Sequence, residues 1–241
     1  HLPREKAEQA FIIAEELKQR EIRKQSRDDF LSFVRLMWPS FIEGYHHRKM
    51  SQTFNRVARG ELKRVIINMG PRHSKSEMSS YMLPSWLLGL KPDLKIIQAT
   101  HTGELAVRFG RKIRDLVDTQ DYKKVFPDVS LRADSKAAGR WETAKGGEYF
   151  AAGVGGAITG RGADVLIIDD PHSEQDAMSE TAMESAYEWY TSGPRQRLQP
   201  GGTIILDATA YWWRRSYHKT RMDTHLGTKR ASYARIYHTK L

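Results

Sequence analysis

The sequence predicts an α/β fold: a mainly parallel central sheet flanked by helices, with an N-terminal helical appendage. Three observations carry that expectation. The apolar run Val65-Ile66-Ile67-Asn68 ends in a small-residue turn that delivers Lys75-Ser76 into a helix-compatible segment. Strand-like and helix-like segments then alternate, the pattern of a parallel sheet covered on both faces. A second apolar run, Val165-Leu166-Ile167-Ile168, closes on the acid pair Asp169-Asp170.

Taken in order, residues 5–29 carry Phe11, Ile12, Ala14 and Leu17 among many Glu, Lys and Arg and predict an amphipathic, solvent-facing helix. The apolar segment 30–38 is stopped by Pro39, and a helix is expected from Tyr45 to about Arg59, ended by Gly60. Residues 63–68 form the first strand, 75–90 a helix with a possible bend at Pro84, 94–100 a second strand and 102–117 a helix bearing Arg108, Arg111, Lys112 and Arg114. Residues 139–152 suggest a hairpin of short strands. A glycine-rich loop, 153–162, leads into the Asp-Asp strand, which is expected to be buried on both faces. A helix at 179–190 and a buried strand from Gly201 to near Thr209 complete the core. The expected division is an N-terminal helical segment or lid (1–60), a core (61–210) and a basic tail of uncertain structure (211–241), with no internal repeat.

Hydrophobic content of 39% with 10% aromatics describes a folded chain rather than a disordered one. No apolar run approaches the roughly 20 residues that span a bilayer, and the first residues lack a secretory apolar region, so the expectation is a soluble intracellular protein. With no cysteine, disulfides and thiolate metal sites are excluded. The histidines lack the spacing of a zinc site. A formal charge of +10 favours polyanionic partners such as nucleic acid, although solubility alone also explains a basic surface.

The loop Gly70-Pro71-Arg72-His73-Ser74-Lys75-Ser76 has the layout of a phosphate cradle. A triphosphate needs backbone N–H groups converging on its oxygens, a lysine near the β and γ phosphates and a hydroxyl for magnesium. The match is imperfect, because Met69 and Ser74 fall where such loops place glycine and Gly70 sits one place late. A non-glycine residue held at positive φ costs about 1–2 kcal/mol. An ordinary strand-turn-helix corner remains open for this stretch alone.

Asp169-Asp170, about ninety residues later, supplies what triphosphate hydrolysis also needs. One carboxylate would hold magnesium with Ser76, and the other would orient water. A polar strand end followed by a proline turn is the plainer alternative. Parallel strands would bring both motifs to one sheet edge. A positive charge for the γ-phosphate could come from Arg72 within the loop, or from Arg161, acting in cis or on a neighbouring subunit.

Together, Asn68 to Glu77, Gly160 to Pro171, Glu188-Trp189-Tyr190-Thr191-Ser192 and Pro200 to Leu206 resemble the large terminase subunit of tailed double-stranded DNA phages, over roughly residues 30–206. The resemblance implies a P-loop NTPase of the additional-strand (ASCE, RecA-like) type that hydrolyses ATP with Mg2+ and translocates double-stranded DNA. It implies a homo-oligomeric ring on the portal protein of a procapsid, served by a small terminase subunit, in the cytoplasm of an infected bacterium. By position it implies Lys75 and Ser76 as phosphate and magnesium residues and Arg72 as the loop arginine. Asp169 would be the Walker B aspartate, Asp170 the water-activating carboxylate and Arg161 a trans-acting finger. His47, from the region that contacts adenine in that family, and Thr209, the coupling threonine, follow in the same way.

Three departures stand out: Ser74 in place of glycine, Asp170 in place of the commoner glutamate, and Ala210-Tyr211-Trp212 after Thr209 where that family has Arg-Trp. The family's nuclease half is not expected here, since one carboxylate, Asp223, follows Thr209 and cannot build a two-metal centre. Two other readings stay open: a helicase-like ATPase, and a non-hydrolysing basic nucleic-acid-binding or assembly module with a degenerate P-loop.

Overall fold

The computed structural model describes residues 4–135, 137–158, 160–209 and 233–237. It opens with three helices: α1 (Arg4–Asp28), α2 (Phe30–Met37) and α3 (Tyr45–Ala58). Asp29 separates the first two, its carboxylate accepting the Ser32 N–H at 2.8 Å as an N-cap. Gly60, at φ +78°, adopts the left-handed conformation that closes α3. The apolar residues Phe11, Ile12, Ile13 and Leu17 of α1 are exposed, and its last turn is tied down by Trp86 Nε1 donating to the Ser26 carbonyl at 2.9 Å.

The sheet contains seven strands: β1 (Arg64–Met69), β2 (Lys95–Thr100), β3 (Arg140–Glu142), β4 (Glu148–Gly153), β5 (Ala163–Asp169), β6 (Leu198–Thr209) and β7 (Tyr233–Tyr237). Their order is β3-β4-β2-β5-β6-β1-β7. All neighbours are parallel except β3, which pairs antiparallel with β4 as the expected hairpin. Strand β6 is thus inserted between β1, which leads into the Lys-Ser loop, and β5, which ends in the first aspartate. That is the additional-strand arrangement that the family resemblance implied.

The helix expected at 75–90 divides in two. Residues Glu77–Met82 form a π-helical turn, and α4 (Leu83–Leu90) continues directly from it with Pro84, which has no N–H to donate back into that turn. Helix α5 (Gly103–Val117) is capped by Thr102. A short helix α6 (Gln120–Val125), which periodicity does not reveal at this length, follows it. Helix α7 (Glu180–Ser192) is capped by Ser179 and runs through a short 3-10 turn, Pro194–Arg197, into β6.

Two apolar layers sandwich the sheet. One joins Phe30, Phe33, Met50 and Phe54 of α2 and α3 to Val65, Ile67, Ile96, Ile167 and Ile205, so the helices of the 1–60 segment share the core with the sheet. The other joins Ile66, Leu166, Ile168, Ile204 and Leu206 to Tyr190 of α7. Alternate residues of each central strand therefore face opposite layers, the two-sided burial that unbroken apolar runs imply. Among the described residues, no helix is long and apolar enough to cross a membrane. The expected basic tail falls outside the described residues apart from β7, which extends the sheet beyond β1.

Candidate active site

The site forms at the carboxyl edge of the sheet because β1, β5 and β6 run parallel and stop in register. Asp169 pairs with Asp207 across β5 and β6, and Asp207 pairs with Ile67 across β6 and β1. Side chains two apart share a face, so Asp169 follows Ile167 and Asp207 follows Ile205 into the layer beneath the helix after the loop. Asp170, at φ +40°, turns the chain so that its carboxylate joins the same cluster.

Lys75 lies at the centre, 5% exposed. Its Nζ is 2.8 Å from Asp170, 2.9 Å from Asp207 and 3.5 Å from Asp169. Burial alone would lower its ammonium, but Asp207, Asp169 and Asp170 together hold it above the ordinary lysine range. Burial raises the Asp169 carboxyl and pushes Asp207 up to about 8, with Lys75 pulling each back. The Ser76 hydroxyl donates to Asp169 at 3.0 Å, and the Ser79 hydroxyl contacts Asp207. Pushed up to about 8, Asp207 is largely protonated at neutral pH, so Lys75 has Asp169 and Asp170 as its carboxylate partners.

The donors present fit magnesium. Among the described residues, no cluster of three or more His, Asp or Glu is arranged to hold a metal alone. Magnesium, however, characteristically takes one or two protein oxygens and completes its shell with water and substrate phosphates. Ser76 Oγ and Asp169 Oδ1, already 3.0 Å apart, supply two hard oxygens on one side of Lys75.

The loop itself explains where the sequence departs from the glycine-rich pattern. Ser74, at φ +55°, occupies the left-handed region, as does Arg72 at φ +63°. The loop keeps the glycine-type backbone at Ser74 and carries a side chain there at a cost of about 1 kcal/mol. Gly70 has no positive φ, and a Cβ added to it would meet the His73 ring at an ordinary 3.5 Å, so its glycine is not required by local space. Pro71 and Arg72 form the exposed crown of the loop.

His47 braces the loop from α3. Its Nδ1 accepts the Gly44 N–H at 2.9 Å, which leaves Nε2 protonated to donate to the His73 carbonyl at 3.3 Å. Burial, assisted by neighbouring His46, lowers its pKa to about 4, keeping the ring neutral. His73 Nδ1 lies 2.8 Å from the Pro71 carbonyl, within the loop.

Arg161 stands elsewhere. It precedes β5 and so lies at the amino edge of the sheet, paired with Glu148 at the start of β4 and with its guanidinium 4.3 Å over the Phe150 ring. The seven residues of β5, at about 3.3 Å each, separate it from Lys75 by roughly 20 Å. The cis alternative for Arg161 does not fit this placement. Thr209 ends β6 opposite Met69 of β1, adjoining the loop; its side chain lies outside the described residues.

The basic stripe on α5 is partly engaged. Lys112 pairs with Glu77, just after Ser76, at 2.6 Å and covers the Tyr81 ring, while Arg114 pairs with Asp115. Arg108 and Arg111 remain exposed. The functional residue that sequence reasoning missed is Asp207. Its signal was an acid at the inward-facing position of an otherwise apolar strand, Thr203-Ile204-Ile205-Leu206-Asp207.

No protein-family model matches the chain, and no curated protein matches it by sequence. Among solved structures, the chain is similar to the crystal structure of the HK97 bacteriophage large terminase, with a TM-score of 0.43 and 12% identity, over 70% of this chain and 33% of that one. The chain therefore spans about a third of the length of that structure.

Proposed function

We propose that this chain is the ATP-hydrolysing motor portion of a DNA-packaging terminase, acting on double-stranded DNA at a procapsid portal. The observation that supports it is the convergence of Lys75, Ser76, Asp169 and Asp170 at one sheet edge beneath a loop with glycine-type backbone. In this reading the backbone N–H groups of Gly70 and of residues 72–76 cradle ATP, and Lys75 exchanges its carboxylate contacts for the β and γ phosphates. Ser76 and Asp169 would hold Mg2+, which would supply positive charge against the phosphates. Asp170, at the mouth of the cluster, orients the attacking water and takes its proton. Arg72 crowns the loop and meets phosphate from the same chain. Arg161, at the far edge, faces a neighbouring copy in a ring, and Thr209, at the end of the inserted strand, couples loop movement to the sheet. Portal protein and small terminase subunit belong to the same reading.

The test is ATP hydrolysis by the wild type, Lys75→Ala and Asp170→Asn. Lys75→Ala should lose at least about a hundredfold, and Asp170→Asn about 10²–10⁴-fold with nucleotide binding retained. A wild type that shows no turnover, with or without DNA and portal, refutes the motor and leaves a binding module. Arg161→Ala should regain activity when mixed with a Lys75→Ala subunit that retains Arg161; no regain refutes its trans role.

A further inference from the structure

The proposed hydrolysis gives no role to Asp207, although its side chain is fully buried at the floor of the site. The sheet sets its place: β6 lies between β1 and β5, and Asp207 stands level with Ile67 on one side and Asp169 on the other. A polar group in such a position costs free energy unless its neighbours match it. Its contacts therefore indicate what it is there to hold.

Those contacts tie Asp207 to three groups of the site. Its Oδ1 lies 2.9 Å from Lys75 Nζ. Its Oδ2 meets the hydroxyl of Ser79, which is also fully buried and which donates to the Lys75 carbonyl at 3.0 Å. A hydroxyl carries one hydrogen, so with that hydrogen on the Lys75 carbonyl the contact between Ser79 and Asp207 takes its hydrogen from the acid. Lys75, Asp207 and Ser79 thus close a ring that holds the lysine at both its ammonium and its backbone. The third tie is in the main chain: the Asp207 carbonyl accepts the Asp170 N–H at 2.8 Å, where the chain turns at φ +40°. Lys75 and Asp170 both take their position from one residue.

Exposure separates the three acids around Lys75. The Asp170 side chain is 29% exposed at the mouth of the site, whereas those of Asp169 and Asp207 are 2% and 0% exposed. An ammonium has three N–H donors, and turning one toward a phosphate releases a contact with an acid. A phosphate arriving from solvent can replace the contact at the mouth but not the one at the floor. We propose that Asp207 is a positioning residue for ATP hydrolysis: clamped by Ser79, it anchors the Lys75 ammonium from below while the contact with Asp170 is exchanged for phosphate. It also sets the spacing between that ammonium and Asp170, which orients the water. The catalytic consequence rests on the motor reading, whereas the clamp itself does not.

The test combines turnover, nucleotide binding and a direct view of the ammonium in the full chain, with thermal melts to establish folding. Asp207→Ala should lower kcat for ATP about 10–100-fold, the effect of a reacting group held out of place. Affinity for a fluorescent ATP analogue should stay within about threefold, because the lysine still reaches phosphate but is no longer aimed. Asp207→Asn presents an oxygen to Nζ and an N–H to Ser79, and should recover most of the lost kcat. Ser79→Ala, which leaves both partners in place and serves if Asp207→Ala does not fold, should lower kcat severalfold. In a proton–nitrogen correlation spectrum the Lys75 Nζ signal, assigned by its loss in Lys75→Arg, should be sharp in the wild type and Asp207→Asn and broadened by exchange in Asp207→Ala and Ser79→Ala. In a chain that hydrolyses ATP, wild-type kcat in both Asp207→Ala and Ser79→Ala overturns the proposal. So does Asp207→Asn as slow as Asp207→Ala, or a kcat that falls only in step with nucleotide affinity. In a chain that never hydrolyses ATP the motor is refuted; a broadened Nζ signal there upholds the clamp, and an unchanged one overturns it as well.

Discussion

The two edges of the sheet solve opposite electrostatic problems. At the carboxyl edge three aspartates surround one buried lysine, and Asp169, Asp207 and Lys75 are all nearly inaccessible. At the amino edge Arg161 pairs with Glu148, and, among the described residues, the Nε atoms of Arg64 and Arg197 and the Tyr190 hydroxyl are buried without a partner. The first cluster is internally paired, and the hard oxygens of Ser76 and Asp169 fit a metal with phosphates. The lesson is that buried charge is costly unless matched, and the two edges match theirs differently.

The sharpest break of this comparison is Lys75→Met. It leaves three carboxylates without their cation and should destabilise the fold by about 3–5 kcal/mol in urea unfolding, beyond any loss of activity. A loss below about 1 kcal/mol would mean the carboxylates find water or protons cheaply, and the edges would be less different than drawn.

Next comes the brace at His47. Its pKa is lowered in the folded chain from 6.5 to about 4, so between those values the unfolded chain binds a proton that the native chain refuses. Stability present above pH 6.5 should therefore be lost progressively down to about pH 4, by at most about 3 kcal/mol. In His47→Asn, which keeps an acceptor for the Gly44 N–H, that part of the pH dependence should vanish. Equal pH profiles in the two proteins would show that His47 protonates without disturbing the loop.

Ser74→Gly should stabilise the protein by about 1 kcal/mol by relieving the left-handed serine, less whatever entropy glycine returns to the unfolded chain. Smallest of all is Arg195→Ala, expected within about 0.5 kcal/mol of wild type. Among the described residues no carboxylate pairs with Arg195, so its removal leaves no counter-charge stranded, the reverse of Lys75→Met. Comparable losses in the two variants would erase the distinction between the edges.

The order of strands and helices was legible in the sequence because unbroken β-branched runs and helical periodicity are local signals. So were Lys75-Ser76 and Asp169-Asp170, which stand at strand ends where parallel strands present their ligands. Helix α6 was too short for periodicity, and β7 was hidden in a polar, basic stretch.

What only the tertiary structure decided was neighbourhood. Sequence spacing cannot show that β6 lies between β1 and β5, and without that placement Asp207 reads as a strand-end acid rather than a partner of Lys75. Nor can it show that Arg161, eight residues before Asp169, stands a full strand length from it, because a parallel strand carries its two ends to opposite edges. The loop before Lys75 was fixed by local chemistry; the charges that surround it were fixed by which strands lie side by side.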